Sequence, residues 1–254
     1  MLEKSALFCY SIKMQIRINK YLSESGICSR RQADEHILAG KITINGQVNR
    51  ELGVKIDPDK DEVSFDGKLI QKSDKMVYYA FYKPRGVVTT SDDEKGRKTV
   101  LDFFPSSPRV YPVGRLDQYS EGLVILTNDG DLTQKLTHPS FKHEKEYQVE
   151  ARTGKLKPTV GPTQITKMFT NGLYIDSKRM YADLVEVIDE NPDSKLITLK
   201  MVLHTGYNRQ IRRMCDKVSL QVVKLVRTRI AKLRLDSLGL KAGEYKEINL
   251  ESIL

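Results

Sequence analysis

The sequence predicts an α+β protein in which a small helix–helix–hairpin domain precedes a larger domain built on a mixed β-sheet. Three observations lead to this prediction. Strand-like runs outnumber helical ones after about residue 75, which argues against a doubly wound nucleotide fold. A polar stretch without periodicity, Gln71 to Lys75, separates two different patterns and indicates a linker. The 254 residues, 39% of them hydrophobic, are enough for two unequal cores.

The first domain starts with two short helices. An amphipathic run from Ile18 stops at Gly26, and a second helix starts at Ser29, with Gln32 at capping-box spacing and Gly40 at its end. Short strands follow, namely Lys41 to Ile44, the hairpin turn Asn45–Gly46, and runs around Val54, Ile56, Val63 and Phe65. We therefore assign residues 15–74 to this domain, residues 75–254 to the second domain and residues 1–14 to a disordered leader.

The second domain is predicted to be rich in strands, because β-branched and aromatic residues cluster in short runs. The predicted strands are Val77 to Tyr82, Val87 to Thr90, Val124 to Thr127, Glu146 to Ala151, Lys178 to Val187 and Leu196 to Leu203. The predicted helices are Asp131 to Thr137, Pro158 to Asn171 and Asn208 to Val218.

The charge of the chain indicates a polyanionic partner. The formal net charge is +9, and the segment from Lys200 to Arg234 carries ten basic residues against one acidic residue. Lysine and arginine gain binding free energy by releasing counterions from phosphates, so one face of the second domain suits RNA or DNA. The scattered cysteines Cys9, Cys28 and Cys215 lack zinc or disulfide spacing and fit a reducing cytoplasm, and no run approaches a membrane span of roughly 20 apolar residues.

Two arginines, Arg30 and Arg31, stand at the start of the second helix, where backbone N–H groups and the helix dipole favour a phosphate. Taken alone, such a dipeptide is more often a pair of solvated arginines. However, the strings Asn19 to Leu22, Ser25 to Asp34, Gly40 to Ile42 and Asn45–Gly46 together resemble the S4 RNA-binding domain, which has an αL-like fold. This resemblance favours an RNA contact.

The string Pro112 to Leu123 is the strongest motif for chemistry. If it is extended after a tight bend, Leu116 packs inward while Arg115 and Asp117 point into a cleft. An aspartate at such a junction is more often a turn former or an ion-pair partner. The whole string, together with the segment that follows it, resembles the active-site signature of the RsuA-type pseudouridine synthases, particularly the F-type members that act on large-subunit ribosomal RNA.

A third string runs from Gly206 to Cys215. If Asn208 caps a helix, Arg212 lies at the border of a buried stripe and is partly desolvated, whereas Arg209 and Arg213 are free for phosphates. The alternative for Arg213 is a solvated basic face. The string resembles a motif of the same family, which implies that Arg212 pairs with Asp117. Tyr207 replaces the arginine or leucine more usual there.

Tyr147 lies in an alternating strand, where a tyrosine is ordinarily core packing. Lys145 and Tyr147 match the lysine-x-tyrosine motif of the family, which implies that the ring stacks on the target uracil. His138 and His143 lack metal-ligand spacing to any cysteine and are interpreted as non-catalytic.

The resemblance implies a catalytic domain on a mixed, mainly antiparallel sheet that isomerises uridine to pseudouridine. The C1′–N1 bond breaks, the uracil turns, and C5 rejoins C1′ after the base has been flipped from its stack. Asp117 is the implied nucleophile, attacking C1′ or otherwise assisting departure of uracil. Arg212 holds it charged and oriented, Leu225 is an apolar pocket wall, and Arg115 fills the vacated position in the RNA.

The expected partner is structured RNA, namely 23S ribosomal RNA or a large-subunit precursor, with transfer RNA as a further candidate. The residues expected to bind RNA are Arg17, Lys20, Arg30, Arg31, Lys41, Arg115, Arg209, Arg213, Arg227 and Arg229. We expect no cofactor, since glycine-rich nucleotide loops and metal-ligand clusters are missing from the sequence. We also expect no metal, no membrane association, no obligate protein partner and a cytoplasmic monomer.

Two rival functions differ in testable ways. A non-catalytic S4-type RNA-binding or ribosome assembly protein would account for the basic surface, but it does not require the Arg115-Leu116-Asp117 string together with Arg212. A nucleic-acid N-glycosylase also uses a carboxylate and base flipping, but it would release free uracil.

Overall fold

The structure, a computed structural model, describes residues 15–71, 75–153, 161–191 and 193–254. The chain divides into two compact units between Lys75 and Met76. The predicted leader 1–14, which includes Cys9, and residues 72–74 of the predicted linker lie outside the described residues. In the described ranges, none of the helices has both the length and the apolar character that a bilayer crossing demands.

The first unit contains two helices and two small sheets. Its elements are β1 (Ile16–Arg17), α1 (Ile18–Glu24), α2 (Arg30–Leu38), β2 (Ile42–Ile44), β3 (Gln47–Asn49), β4 (Lys55–Ile56), β5 (Val63–Phe65) and β6 (Lys68–Leu69). The strands form an antiparallel sheet of order β3-β2-β5-β6 and a separate antiparallel pair of β1 and β4.

The local signals of this unit are confirmed. The hydroxyl of Ser29 accepts from the backbone N–H of Gln32, and the side chain of Gln32 accepts from the backbone N–H of Ser29, so the capping box is formed. Asn45 and Gly46 both have positive φ, as a tight hairpin turn between β2 and β3 requires. The buried face of the two helices packs on the small sheet.

The second unit is built on one large sheet. The strands of this unit are β7 (Tyr78–Lys83), β8 (Tyr111–Val113), β9 (Glu121–Thr127), β10 (Lys145–Thr153), β11 (Leu173–Ile175), β12 (Lys178–Met180), β13 (Leu184–Asn191), β14 (Leu196–Leu203), β15 (Leu220–Ile230), β16 (Leu233–Arg234) and β17 (Tyr245–Glu247). Of these, β11 and β12 form a separate antiparallel pair. The helices of this unit are α3 (Gly130–Thr137), α4 (Pro162–Asn171) and α5 (Gln210–Lys217), and short 3-10 turns cover Val100–Phe103, Pro139–Phe141, Asp236–Leu238 and Leu250–Ser252.

The order of the large sheet is β13-β14-β10-β15-β9-β7-β17, with β8 added to β9 and β16 added to β15. All of these pairs are antiparallel except β9 with β15, which run parallel through two residue pairs. The prediction of a mixed, mainly antiparallel sheet with flanking helices is therefore confirmed.

The parallel junction between β9 and β15 requires a glycine. Gly122 has a φ of +107°, and a Cβ atom at this position would lie 2.3 Å from the carbonyl oxygen of Arg227. The backbones of the two strands therefore approach more closely than any side chain allows. The guanidinium Nε of Arg227 donates to the carbonyl of Leu123 and joins the strands further.

One face of the large sheet carries the helices α4 and α5. Ile165 and Phe169 of α4 and Met214 of α5 pack with Val149 and Leu199 of the sheet in one core cluster. Tyr147 packs against both this cluster and a second one formed by β7, β9 and their connecting segments. It therefore lies where the two halves of the sheet meet.

Several element predictions are wrong. Val87 to Thr90 is not a strand, because the hydroxyl of Thr89 bonds the backbone of Leu116 and only Val88 makes an isolated bridge. The predicted strand Lys178 to Val187 is broken between β12 and β13, where the carboxylate of Asp183 bonds His204.

The helix starts also differ from the predictions, and five strands of the second unit were not predicted, namely β8, β11, β15, β16 and β17. Helix α5 starts at Gln210 rather than Asn208, because Arg209 has a left-handed φ of 51°. Helix α4 starts at Pro162, and the predicted start at 158 lies outside the described residues. The prediction omitted β15 altogether, although it is the central strand beside β10.

Candidate active site

Asp117 lies in an extended segment between β8 and β9, and its backbone is fixed by the residue before it. The hydroxyl of Thr89 donates to the carbonyl of Leu116 at 2.9 Å and accepts from its N–H at 3.2 Å. Leu116 is buried in the core, so Arg115 and Asp117 on either side of it face a cavity. The predicted alternation along this string is therefore present.

A buried lysine ties the surrounding loops together. Lys83, at the end of β7, is completely buried, and its ammonium group donates to the carbonyls of Ser120 at 2.7 Å and Pro84 at 2.9 Å and, more weakly, to that of Gln118 at 3.4 Å. Burial lowers the pKa of Lys83 to about 8, although the nearby carboxylates of Glu121 and Asp117 oppose this shift. Lys83 thus joins β7 to the segment that carries Asp117.

Arg212, from α5, reaches the same segment from the opposite side. Its Nη2 donates to the carbonyl of Tyr119 at 2.9 Å and to the hydroxyl of Ser120 at 3.2 Å, and its Nε lies 4.0 Å from Oδ2 of Asp117. The side chain of Arg212 is only 11% exposed, which fits the predicted partial desolvation. Burial lowers the pKa of Arg212, as does the neighbouring Arg209, while Asp117 acts in the opposite direction.

Arg209 is a second cation beside the same carboxylate. Its Nη1 lies 3.9 Å from Oδ2 of Asp117, so this arginine is not the isolated phosphate contact that the sequence predicts. The side chain of Asp117 is 30% exposed. Asp117 is therefore held between two guanidinium groups and remains accessible from solvent.

The loop that carries Arg209 is organised by Gln210. The side-chain carbonyl of Gln210 accepts from the hydroxyl of Thr205 and the N–H of Tyr207, and its amide donates to the carbonyl of Tyr181. Gln210 is buried, so these bonds replace water as its partners. Sequence reasoning did not identify Gln210, Thr89 or Lys83 as supports of the site.

These residues surround a cavity of about 310 Å³ on the face covered by α5. This is within the range of pockets that hold small ligands. Tyr147 from β10 and Leu225 from β15 form apolar walls, opposite the polar groups of the Asp117 segment and α5. The predicted residues that line the cavity are Arg115, Asp117, Tyr147, Arg209, Arg212 and Leu225.

Three arginines of the second unit that were predicted to bind RNA do not line this cavity. Arg227 is 3% exposed and donates to Leu123, so its expected role as a surface phosphate contact is corrected to a contact between strands. Arg229 is paired with Glu144 and Glu146, and Arg213 with Asp176, so neither is free as predicted.

The predicted RNA-binding residues of the first unit are mostly exposed. Arg30 and Arg31 lie in the first turn of α2, and Arg17 lies on β1. Lys20 and Lys41 are close to Glu24 and Asp66, at 3.4 Å and 3.9 Å, and Lys20 is half-buried. The pair of Lys41 and Asp66 is exposed, and such a pair exchanges readily for another anion because it contributes little free energy.

Within the described ranges, no group of three or more histidine, cysteine, aspartate or glutamate side chains is arranged to hold a metal ion. The chemistry that this site offers is that of a carboxylate between two cations, next to a tyrosine.

Comparison with known proteins assigns both units. The model of the RNA pseudouridylate synthase family matches residues 77–217, and that of the S4 domain matches residues 16–63. Ribosomal large subunit pseudouridine synthase B of Bacillus subtilis is 34% identical over 233 residues, 91% of either chain. Dual-specificity RNA pseudouridine synthase RluF of Escherichia coli K12 is 37% identical over 94% of this chain and 77% of that protein. A crystal structure of a pseudouridylate synthase superposes with a TM-score of 0.61 and 27% identity, covering 94% of this chain and 98% of that one.

Proposed function

Because this chain belongs to the RNA pseudouridylate synthase family and isomerises uridine to pseudouridine, we propose that its substrate is 23S ribosomal RNA and that Asp117 is the nucleophile. The name of the Bacillus subtilis relative, a ribosomal large subunit pseudouridine synthase, supports the first part, and the name of the Escherichia coli relative indicates that an enzyme of this kind can have two RNA specificities. Transfer RNA is the second candidate substrate to test.

One observation carries the assignment of Asp117. Its carboxylate lies within 4.0 Å of two guanidinium groups on the wall of a cavity, and it is partly open to solvent. A carboxylate is a suitable nucleophile to attack C1′ or to assist the departure of uracil, and the two guanidinium groups are close enough to orient it. Arg212 therefore serves as the positioning residue of the nucleophile, and Arg209 adds charge for the phosphate of the substrate.

The opposite walls suit a flipped uracil. Tyr147 offers a half-buried ring on which the base stacks, so that its hydroxyl stands near the proton that leaves C5. Leu225 closes the apolar side of the pocket. Arg115 is exposed at the rim and occupies the position that the uracil leaves in the RNA stack.

The first unit would hold the RNA while the second acts on it. Arg17, Lys20, Arg30, Arg31 and Lys41 supply the positive charge for this role. Replacing Arg30 and Arg31 together by glutamine should weaken RNA binding and reduce the slope of log affinity against log salt by about 2. If the slope of log affinity against log salt is unchanged in the double variant, these two residues do not contact RNA phosphates.

Release of tritium tests the proposed chemistry, because the hydrogen on C5 must leave when C5 becomes bonded to C1′. Wild-type protein should release tritium from ribosomal RNA labelled at C5 of uridine, and Asp117→Asn should release none above background while it still binds RNA. Asp189→Asn makes the same chemical change on the exposed part of β13 and serves as the matched control. Full activity of Asp117→Asn would exclude Asp117 as nucleophile.

The two rival functions give different products. Free uracil in the chromatogram would indicate a glycosylase, and binding without tritium release would indicate a non-catalytic RNA-binding protein. Mapping pseudouridines in the RNA of a deletion strain then tests the substrate. Loss of a pseudouridine from transfer RNA, with 23S ribosomal RNA unchanged, would overturn the proposed substrate.

We further propose that the enzyme works as a monomer in the cytoplasm, where ribosomal RNA is made and modified in bacteria. The residues proposed to carry the reaction, Asp117, Tyr147 and Arg212, line one cavity within a single copy of the chain, which supports this proposal. Gel filtration with light scattering measures the state directly, and activity confined to a dimer would contradict this proposal.

A further inference from the structure

Two tyrosine rings lie exposed next to the cavity. Tyr119 follows Asp117 by two positions and is 54% exposed, and Tyr207 lines the cavity and is 41% exposed. Neither ring is part of a core cluster in the described residues. Packing within the protein therefore does not account for these two aromatic side chains.

The backbones of both tyrosines are fixed by α5. The carbonyl of Tyr119 accepts from Arg212 at 2.9 Å, and the N–H of Tyr207 donates to the side chain of Gln210 at 3.2 Å. Arg212 and Gln210 are two residues apart at the start of the same helix. The rings are thus exposed, while their attachment points are held relative to Asp117.

Each ring also has a cation next to it. The guanidinium carbon of Arg85 lies 5.8 Å from the centre of the Tyr119 ring, and Nζ of Lys178 lies 5.7 Å from the centre of the Tyr207 ring. These distances are within reach of a cation–π attraction. An aromatic ring beside a cation is suited to bind one nucleotide, because the base can stack on the ring while the phosphate pairs with the cation.

We propose that Tyr119 and Tyr207 stack the two nucleotides that flank the flipped uridine, with Arg85 and Lys178 against their phosphates. This inference rests on the proposed function and deepens it. The flanking bases can reach protein rings only where they are not stacked in a continuous helix. The substrate uridine therefore lies in a loop or bulge of the RNA.

Leucine and phenylalanine variants of the two tyrosines test this inference. Tyr119→Leu and Tyr207→Leu remove an aromatic face, whereas Tyr119→Phe and Tyr207→Phe keep it and serve as matched controls. The probe is a hairpin RNA with the mapped uridine in its loop, and the readout is the dissociation constant. We expect each leucine variant to bind about 5- to 20-fold more weakly, in line with the usual contribution of one stacked base, and each phenylalanine variant to bind within about twofold of wild type.

The same RNA without a base next to the target separates stacking from a general structural effect. When the nucleotide that stacks on a ring lacks its base, wild-type protein should lose affinity by the same factor as the leucine variant loses on the intact RNA. The leucine variant should bind the abasic RNA as tightly as it binds the intact RNA. Leucine variants that bind like wild type would overturn the inference. A leucine variant that binds the abasic RNA more weakly than wild type does, by the same factor as on the intact RNA, would also overturn it. So would a mapped uridine that lies within an uninterrupted helix.

Failure of the proposed function would appear differently. If wild-type protein binds the hairpin but releases no tritium from it, the substrate assignment is wrong. The dissociation constants of the variants still decide whether the rings stack bases, because binding does not depend on turnover.

Discussion

The Nε atom of Arg212 lies 4.0 Å from Oδ2 of Asp117, while Nη2 of the same arginine bonds the carbonyl of Tyr119 and the hydroxyl of Ser120. One buried side chain therefore provides positive charge for the carboxylate and fixes the backbone that follows it. Both effects depend on the planar, forked shape of the guanidinium.

This relationship predicts that Arg212→Lys is not a conservative change. Lysine keeps the charge but cannot reach Tyr119, Ser120 and Asp117 together, so kcat should fall about 10- to 100-fold, as expected for the loss of one charged hydrogen bond. Steady-state kinetics on labelled RNA measure the effect. Arg97→Lys, which changes an exposed arginine paired with Asp93, is the control. A kcat equal to that of wild type would mean that charge alone is sufficient.

The hydroxyl of Thr89 is predicted to position Asp117 through Leu116. Thr89→Val keeps the shape but leaves the N–H and carbonyl of Leu116 without this partner, so we expect kcat to fall about tenfold with KM nearly unchanged. Thr89→Ser restores the hydroxyl and should recover most of the activity. If serine is as poor as valine, the methyl group rather than the hydroxyl matters.

Lys83 predicts a pH dependence of stability. Its pKa of about 8 in the folded protein is below the ordinary value of 10.5, so between these values the unfolded chain binds more protons than the folded one. The contribution of Lys83 to the free energy of unfolding must therefore rise as the pH rises from about 8 to about 10. The rise should be at least about 1 kcal/mol, since one pKa unit corresponds to roughly 1.4 kcal/mol.

Lys83→Met provides the reference for this measurement, because methionine does not titrate. We expect urea denaturation of both proteins between pH 7 and 10 to show that the free energy of unfolding of wild type increases relative to that of Lys83→Met as the pH rises. A constant difference would show that Lys83 does not change its charge in this range.

Gly122 is predicted to be essential for the junction of β9 and β15. In Gly122→Ala the added methyl group would overlap the backbone of Arg227, and the φ of +107° disfavours any side chain. We expect a loss of about 3 kcal/mol or more in the free energy of unfolding, measured by urea denaturation. Gly239→Ala also has a positive φ but open space around it, so it should cost only about 1–2 kcal/mol. Equal losses would show that steric overlap is not the cause.

Local patterns were sufficient for part of the fold. The capping box of Ser29 and Gln32 and the Asn45–Gly46 turn involve neighbours in sequence, so their residue types determine them. Strand β14 has the bounds that its run of apolar residues predicted. The inward position of Leu116 followed from simple alternation in the same way.

The remaining features depend on partners far apart in the chain. Thr89 bonds Leu116 across 27 residues, and Lys83 bonds Ser120 across 37, which no local pattern reveals. Strand β15 was not predicted, and its residues Arg227 and Arg229 were expected to bind RNA. In the structure, Arg227 instead bonds the carbonyl of Leu123, and Arg229 is paired with Glu144.

The assembly of the cavity from distant segments also limits when the enzyme can form during translation. Asp117 leaves the ribosome 95 residues before Arg212, and Leu225 follows later still. At ordinary elongation rates this gap lasts roughly 5 to 20 seconds. A nascent chain in that interval already carries the carboxylate and the S4-type unit, but it lacks the arginine that orients the carboxylate and the wall that closes the pocket. The proposed roles of these residues therefore predict that the emerging protein binds RNA before it can modify it.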